Sequence, residues 1–438
     1  MKWKEIYESR KCTAEEAVKL IKPGDKVMLA HLMAEPPVLV DAMIKNAAAY
    51  KDVEISHLVT FGKGEYTKPE YKDNFIFNGL FLSGPTRECV AAGYGEFTPV
   101  FFHEIPGYIR KGLFKPDVFM VMVSPPDKHG YCNIGVTADY AVQGISTAKT
   151  VLAEVNDQVP VAFGDAFIHV SQIDKFVESS HPLPELQLPV IGDVEKAIGQ
   201  HCAELIDDGA TLQLGIGAIP DAVLYFLRDK KDLGIHSEMI SDGVVELVEA
   251  GVITGQAKAI NKGKITVAFL MGTKRLYDFA DRNPGLELRT VDYTNHPIVV
   301  AQNSKMVSVN SCLEVDFMGQ VVSDSIGTKQ FSGVGGQVDF VRGASMSHDG
   351  LGKAIIAMPS VAVKKDGTMI SKITPYISHG AAVTTSRNDV DYVVTENGIA
   401  ALKGKSLKQR ARNLINIAHP AFRDELIEEF EKRFNSSF

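Results

Sequence analysis

The chain carries a repeat of its own. Leu20-Ile-Lys-Pro-Gly-Asp-Lys-Val-Met-Leu-Ala30 runs on to Pro36-Pro37, and Leu205-Ile-Asp-Asp-Gly-Ala-Thr-Leu-Gln-Leu-Gly215 runs on to Pro220, with Gly24 aligned on Gly209. A second pair follows in the same order, Lys128-His-Gly130 and Lys365-Asp-Gly367, each a turn between short apolar runs. A third, Thr150 to Asn156 and Asp391 to Asn397, completes the series. One such match is a common turn before a strand. Three in one order predict two related α/β domains packed face to face, with a ligand site in the cleft between them.

Short Val- and Ile-rich runs alternate with amphipathic stretches, the rhythm of an α/β fold. Asp25 to Ala30, Val53 to Val59, Val118 to Val123 and Thr150 to Val155 read as buried strands, and Ala14 to Ile21 and Pro37 to Lys45 as helices. Three prolines between Pro182 and Pro189 deny backbone donors to any helix or central strand. The boundary falls there, giving an amino-terminal domain over 1–185 and a carboxy-terminal one over 186–438.

A formal net charge of −8 leaves no global basic surface of the kind nucleic acid selects. The apolar runs are too short to span a bilayer, and the first eleven residues have no signal-peptide core. These features predict a cytoplasmic protein. Cys12, Cys89, Cys132, Cys202 and Cys312 stand singly, without metal-ligand spacing, so no metal is expected. P-loop, HExxH and GxSxG motifs are absent.

Three segments could carry chemistry. Gln213-Leu-Gly-Ile-Gly-Ala-Ile-Pro220 follows a strand and opens a helix, so Gly215, Ile216 and Gly217 could present amide groups to an anion; the alternative is a plain strand-to-helix turn. Pro220 stands where a dinucleotide fingerprint needs a third small residue. Gly333-Val-Gly-Gly336 could expose consecutive N–H groups as an oxyanion hole, or simply turn a hairpin. Glu238 lies in Ile235-His-Ser-Glu-Met-Ile-Ser-Asp-Gly243, an apolar stretch read as ending at an Asp-Gly turn. Periodicity alone does not lift it above the other carboxylates.

Taken together, these strings resemble the family I coenzyme A-transferases of the acetyl-CoA hydrolase/transferase type. The markers are Ser124-Pro-Pro-Asp-Lys-His-Gly-Tyr-Cys-Asn-Ile-Gly135, the Gln213 to Pro220 loop, His236 to Gly243, Val309-Asn-Ser-Cys-Leu-Glu-Val-Asp316, Gly333 to Phe340, Val394 to Ala400 and Ile417 to Arg423. Within the family they stand nearest the members that handle 4-hydroxybutyrate and butyrate.

The resemblance implies that Glu238 is the covalent nucleophile in an exchange between acetyl-CoA and short-chain carboxylates. It implies oxyanion-hole amides at Gly335 and Gly336, with Gly215, Ile216 and Gly217 as partners. Asn310 and Gln213 are implied near the reacting carbonyl, and His31 opposite the acyl group. Coenzyme A would lie against Gly215, Ile216, Gly217, Gly333, Val334 and Gly335, with Lys353 and the Lys403 to Arg412 stretch as candidates for its phosphates. No permanent cofactor and a homodimer are implied as well. Two other readings stay open: an acyl-CoA hydrolase, in which water intercepts the intermediate, and a non-catalytic ligand-binding module.

Overall fold

The computed structural model describes residues 2–438. It divides into two units. Unit 1 runs to Gln187 and also takes up Thr266–Thr294 and Gln330–Gly335; unit 2 comprises Leu188–Ile265, Asn295–Lys329 and Gly336–Phe438.

Unit 1 is built on a seven-stranded parallel sheet. Its strands lie in the order Lys175–Ser179, Thr150–Asn156, Val118–Val123, Lys26–Leu29, Val53–His57, Phe75–Gly79 and Gly95–Phe97. Every residue of Val118–Val123 is buried, as a central parallel strand covered on both faces must be. The strands expected from the sequence are present. The first helix is shorter, Ala14–Ala17 tightening into a 3₁₀ turn over Val18–Leu20, whereas Pro37–Lys45 forms as expected with proline at its first position.

Unit 2 carries a six-stranded sheet in the order Gly234–Ile235, Thr211–Leu214, Met306–Asn310, Lys353–Ala357, Tyr392–Thr395 and Gly398–Ala401. The first five strands are parallel and the last returns antiparallel. Its core includes Phe317, Phe340, Ile356, Val393 and Phe430.

The repeat shows in backbone geometry. Gly24 and Gly209 both take left-handed φ values, +78° and +74°. The Gly24 N–H donates to the Lys51 carbonyl and the Gly209 N–H to the Lys231 carbonyl, each at 2.9 Å. The second pair matches too, with φ of +86° at Gly130 and +85° at Gly367. The Gly24 and Gly209 turns each feed a strand of the unit's main parallel sheet, and the Gly130 and Gly367 turns each feed a strand of a separate two-stranded sheet.

Candidate active site

Glu238 sits three residues past the edge strand Gly234–Ile235 of unit 2, on the side where the parallel strands end. Open α/β sheets bind ligands on that side. The segment is fastened to the next strand, since the His236 N–H donates to the Leu212 carbonyl at 3.1 Å and the Ser237 hydroxyl to the Leu214 carbonyl at 3.3 Å. The residues expected to close it as an Asp-Gly turn do something else. Ser241 is extended, and Asp242-Gly243 opens the helix Asp242–Glu249. Asparagine, aspartate and serine before an apolar run start helices as readily as turns.

The half-buried Glu238 carboxylate meets two groups from distant sequence. Nδ2 of Asn295, a fully buried side chain, donates to Oε2 at 2.8 Å. Gly336 closes against the same oxygen: a methyl group on its Cα would overlap Oε2 and come within 2.5 Å of Asn295 Nδ2. Gly336 is the N-cap of the helix Gln337–Ser345, so the positive end of that helix dipole lies at the carboxylate. The Gly-rich segment therefore opens a helix and is not a hairpin turn.

The second glycine loop lies alongside. Gly217 takes φ +110° as the N-cap of the helix Ala218–Phe226, and a Cβ there would meet nothing within 4 Å. Its freedom is conformational, with open space in front of it, and Ile216 is exposed. Gln213 and Asn310, at the ends of adjacent strands, pair reciprocally. Asn310 Nδ2 donates to Gln213 Oε1 at 3.0 Å and Gln213 Nε2 to Asn310 Oδ1 at 3.4 Å. Unit 2 thus brings Glu238, Gly336, Gly215–Gly217, Gln213 and Asn310 to one end of one sheet.

Gly333, Val334 and Gly335 belong to unit 1. The Gly335 carbonyl accepts the Phe102 N–H at 3.2 Å, and a Cβ on Gly333 would come within 3.0 Å of the Leu80 carbonyl. His31 is buried in the same unit, with its Nε2 against the Asp139 carboxylate and its ring among Phe102, Tyr140 and Phe269.

Lys353 stands apart from Glu238. It begins its strand, pairing with Val307, while Asn310 pairs with Ile356 at the other end. Its Nζ donates to the Leu205 carbonyl at 2.7 Å and to Asp207 at 3.0 Å. The Lys403 to Arg412 cations are partly committed to the fold: Lys403 bonds Ser345 and Asp391, Arg410 the Met318 and Arg387 carbonyls, and Arg412 the Ser437 carbonyl. Asn295 is the functional neighbour that sequence reasoning missed. It lies in Thr-Asn-His-Pro, a string with no distinguishing spacing. No group of three His, Cys, Asp or Glu suited to a metal ion occurs among the described residues. No helix among them is long and apolar enough to cross a membrane.

A parallel α/β sheet ending in glycine-lined helix starts around one held glutamate defines the class, and the comparisons agree. Residues 1–187 match the acetyl-CoA hydrolase/transferase N-terminal domain, and 272–430 the C-terminal domain. The chain belongs to that family and is a CoA-transferase. It is 58% identical to the 4-hydroxybutyrate coenzyme A transferase of Clostridium kluyveri over 99% of this chain and 100% of that one. It is 38% identical to the butyryl-CoA:acetate CoA-transferase of Anaerostipes caccae over 99% and 98%. Among solved structures, a 4-hydroxybutyrate CoA-transferase from Porphyromonas gingivalis matches at 42% identity with a TM-score of 0.85, covering 99% of this chain and 100% of that one.

Proposed function

We propose that this CoA-transferase exchanges CoA between acetyl-CoA and short-chain acids, 4-hydroxybutyrate and butyrate among them, through covalent intermediates on Glu238. The observation that carries the reading is the Glu238 carboxylate held by Asn295 against the helix start at Gly336. The named relatives support the choice of acids.

A Glu238 oxygen attacks the thioester carbonyl, the C–S bond breaks, and an acyl-glutamyl anhydride and CoA thiolate result. The thiolate attacks the glutamyl carbonyl of the anhydride and expels the acyl group as its carboxylate, leaving glutamyl-CoA. An incoming carboxylate attacks this thioester, forming a new anhydride and freeing the thiolate again. The thiolate then attacks the acyl carbonyl, giving the new acyl-CoA and restoring Glu238. Each attack places negative charge on a carbonyl oxygen. In this reading the amides at Gly336 and those of Gly215–Gly217 receive it; one such donor is typically worth about 3 kcal/mol of barrier. Thioester free energy is conserved, so neither ATP nor a resident cofactor enters. The enzyme works as a cytoplasmic homodimer in this account.

Steady-state kinetics test the proposal. Double-reciprocal plots at several fixed acetate concentrations run parallel, and butyryl-CoA consumption yields acetyl-CoA. CoA release at one rate with and without acetate, and no new CoA ester, would establish a hydrolase instead.

A further inference from the structure

Coenzyme A is polyanionic at its nucleotide end, while this chain has a formal net charge of −8, so the phosphates need locally placed cations. Lys353 lies at the wrong end of its strand to supply one. On the end that carries Glu238, the strand Lys353–Ala357 continues into a ribbon of two short strands, Val361–Val363 and Met369–Ser371, paired antiparallel. Every residue from Ala362 to Ile370 is exposed. Lys364 and Lys365 stand at its tip, and among the described residues neither ammonium makes an ion pair or hydrogen bond. Asp366, the residue after Lys365, is turned into the loop, its Oδ1 accepting the Thr368 N–H at 2.9 Å. Val363 and Met369 face each other across the ribbon, 66% and 41% exposed. A two-stranded ribbon with an uncovered apolar pair has little burial of its own to hold it.

At the base of the ribbon, Lys372 Nζ donates to the Cys312 carbonyl at 2.8 Å, two residues beyond Asn310. Burial lowers its pKa. The nearby Glu396 carboxylate is taken by the Ser360 N–H and hydroxyl and by Asn397, so Lys372 has no carboxylate bonded to it. From the strand before Glu238 to the strand before the ribbon is three strand spacings, about 14 Å. An extended pantetheine arm is long enough to span that distance.

We propose that the Val361–Ser371 ribbon docks the nucleotide end of CoA: Lys364 and Lys365 take phosphate oxygens, and the Val363–Met369 pair takes the adenine face. The inference rests on the reading above that the thioester end lies at Glu238. Remote binding of this kind can lower the barrier at the reacting carbonyl.

The test compares acetyl-CoA with acetyl-pantetheine, which lacks the nucleotide, as donors for the double variant Lys364→Glu, Lys365→Glu. The kcat/KM for acetyl-CoA falls by about 100-fold, the scale of two lost charge-assisted contacts, while that for acetyl-pantetheine changes by no more than about two-fold and the melting temperature holds. Equal losses on both donors, or none on acetyl-CoA, would overturn the proposal. Titration of free CoA into Glu238→Ala protein, with and without the lysine reversals, separates the two readings. Weaker CoA binding after reversal supports the ribbon even if Glu238 is not the nucleophile, and unchanged binding removes the ribbon whatever Glu238 does.

Discussion

Asn295 Nδ2 donates to Glu238 Oε2 at 2.8 Å, although the two residues are 57 positions apart in the chain. Gly336 closes against that same carboxylate oxygen, where a Cβ would overlap it. For Asn295→Ala we predict a fall in kcat of about 10- to 100-fold, the range for losing a hydrogen bond to a charged group. Asn295→Asp should do worse, because it sets a second carboxylate beside Glu238. Steady-state rates with acetyl-CoA and butyrate check both, and KM for acetyl-CoA should change much less than kcat.

Gly336 and Gly217 fail differently on substitution. Gly336→Ala puts a methyl group into Oε2 of Glu238, so activity should be nearly lost while the melting temperature stays close to that of the parent. Gly217→Ala meets no atom but must hold φ +110°, at a cost of about 1–3 kcal/mol. That variant should show a measurable drop in stability by urea unfolding.

Lys353→Met should cost stability and leave KM for acetyl-CoA unchanged, because its ammonium ties the strand start to Leu205 and Asp207. A large rise in KM without a stability change would return Lys353 to the binding site.

Two histidines in unit 1 set opposite pH trends. Desolvation, with His31 nearby, holds the buried His57 at about 3. An unfolded histidine titrates near ~6.5. The unfolded chain therefore binds a proton that the folded chain refuses, and stability present above about pH 6.5 is lost as pH falls toward 3. His181 is lowered by desolvation but raised more by Glu154, 2.7 Å away, and by the Pro182 carbonyl, for a net rise. Its contribution is complete below about pH 6.5 and is lost as pH rises through the raised value. Urea midpoints at pH 5, 7 and 9 check this: His57→Gln should flatten the acid limb, and His181→Gln the alkaline limb.

Much of the fold was legible because it is local. Gly24 and Gly209 are turn residues before strands, and a positive φ demands glycine at each, so the repeat could be read directly from sequence. The loop around Gly217 was legible as a helix start or a plain turn, but the one around Gly336 read as an amide-exposing loop or a hairpin turn, and only the structure shows that it opens a helix. What could not be read depends on distant contacts. Asn295 reaches Glu238 only through the fold, and nothing in its own string separates it from other asparagines. Lys353 is basic and close in sequence to the sheet, but parallel strand direction puts it at the opposite end from Asn310. His31 follows a strand as a loop ligand would, yet its ring is packed among Phe102, Tyr140 and Phe269.

The central claim is that Glu238 becomes covalently attached to CoA. Its most direct test is the intact mass of the protein after mixing with butyryl-CoA in the absence of an acceptor acid. The account predicts an added mass of one CoA less water, mapped to the peptide containing Glu238, released by acetate and absent from Glu238→Ala. An unmodified chain from a preparation that still transfers CoA, or an adduct that persists in Glu238→Ala, would contradict it.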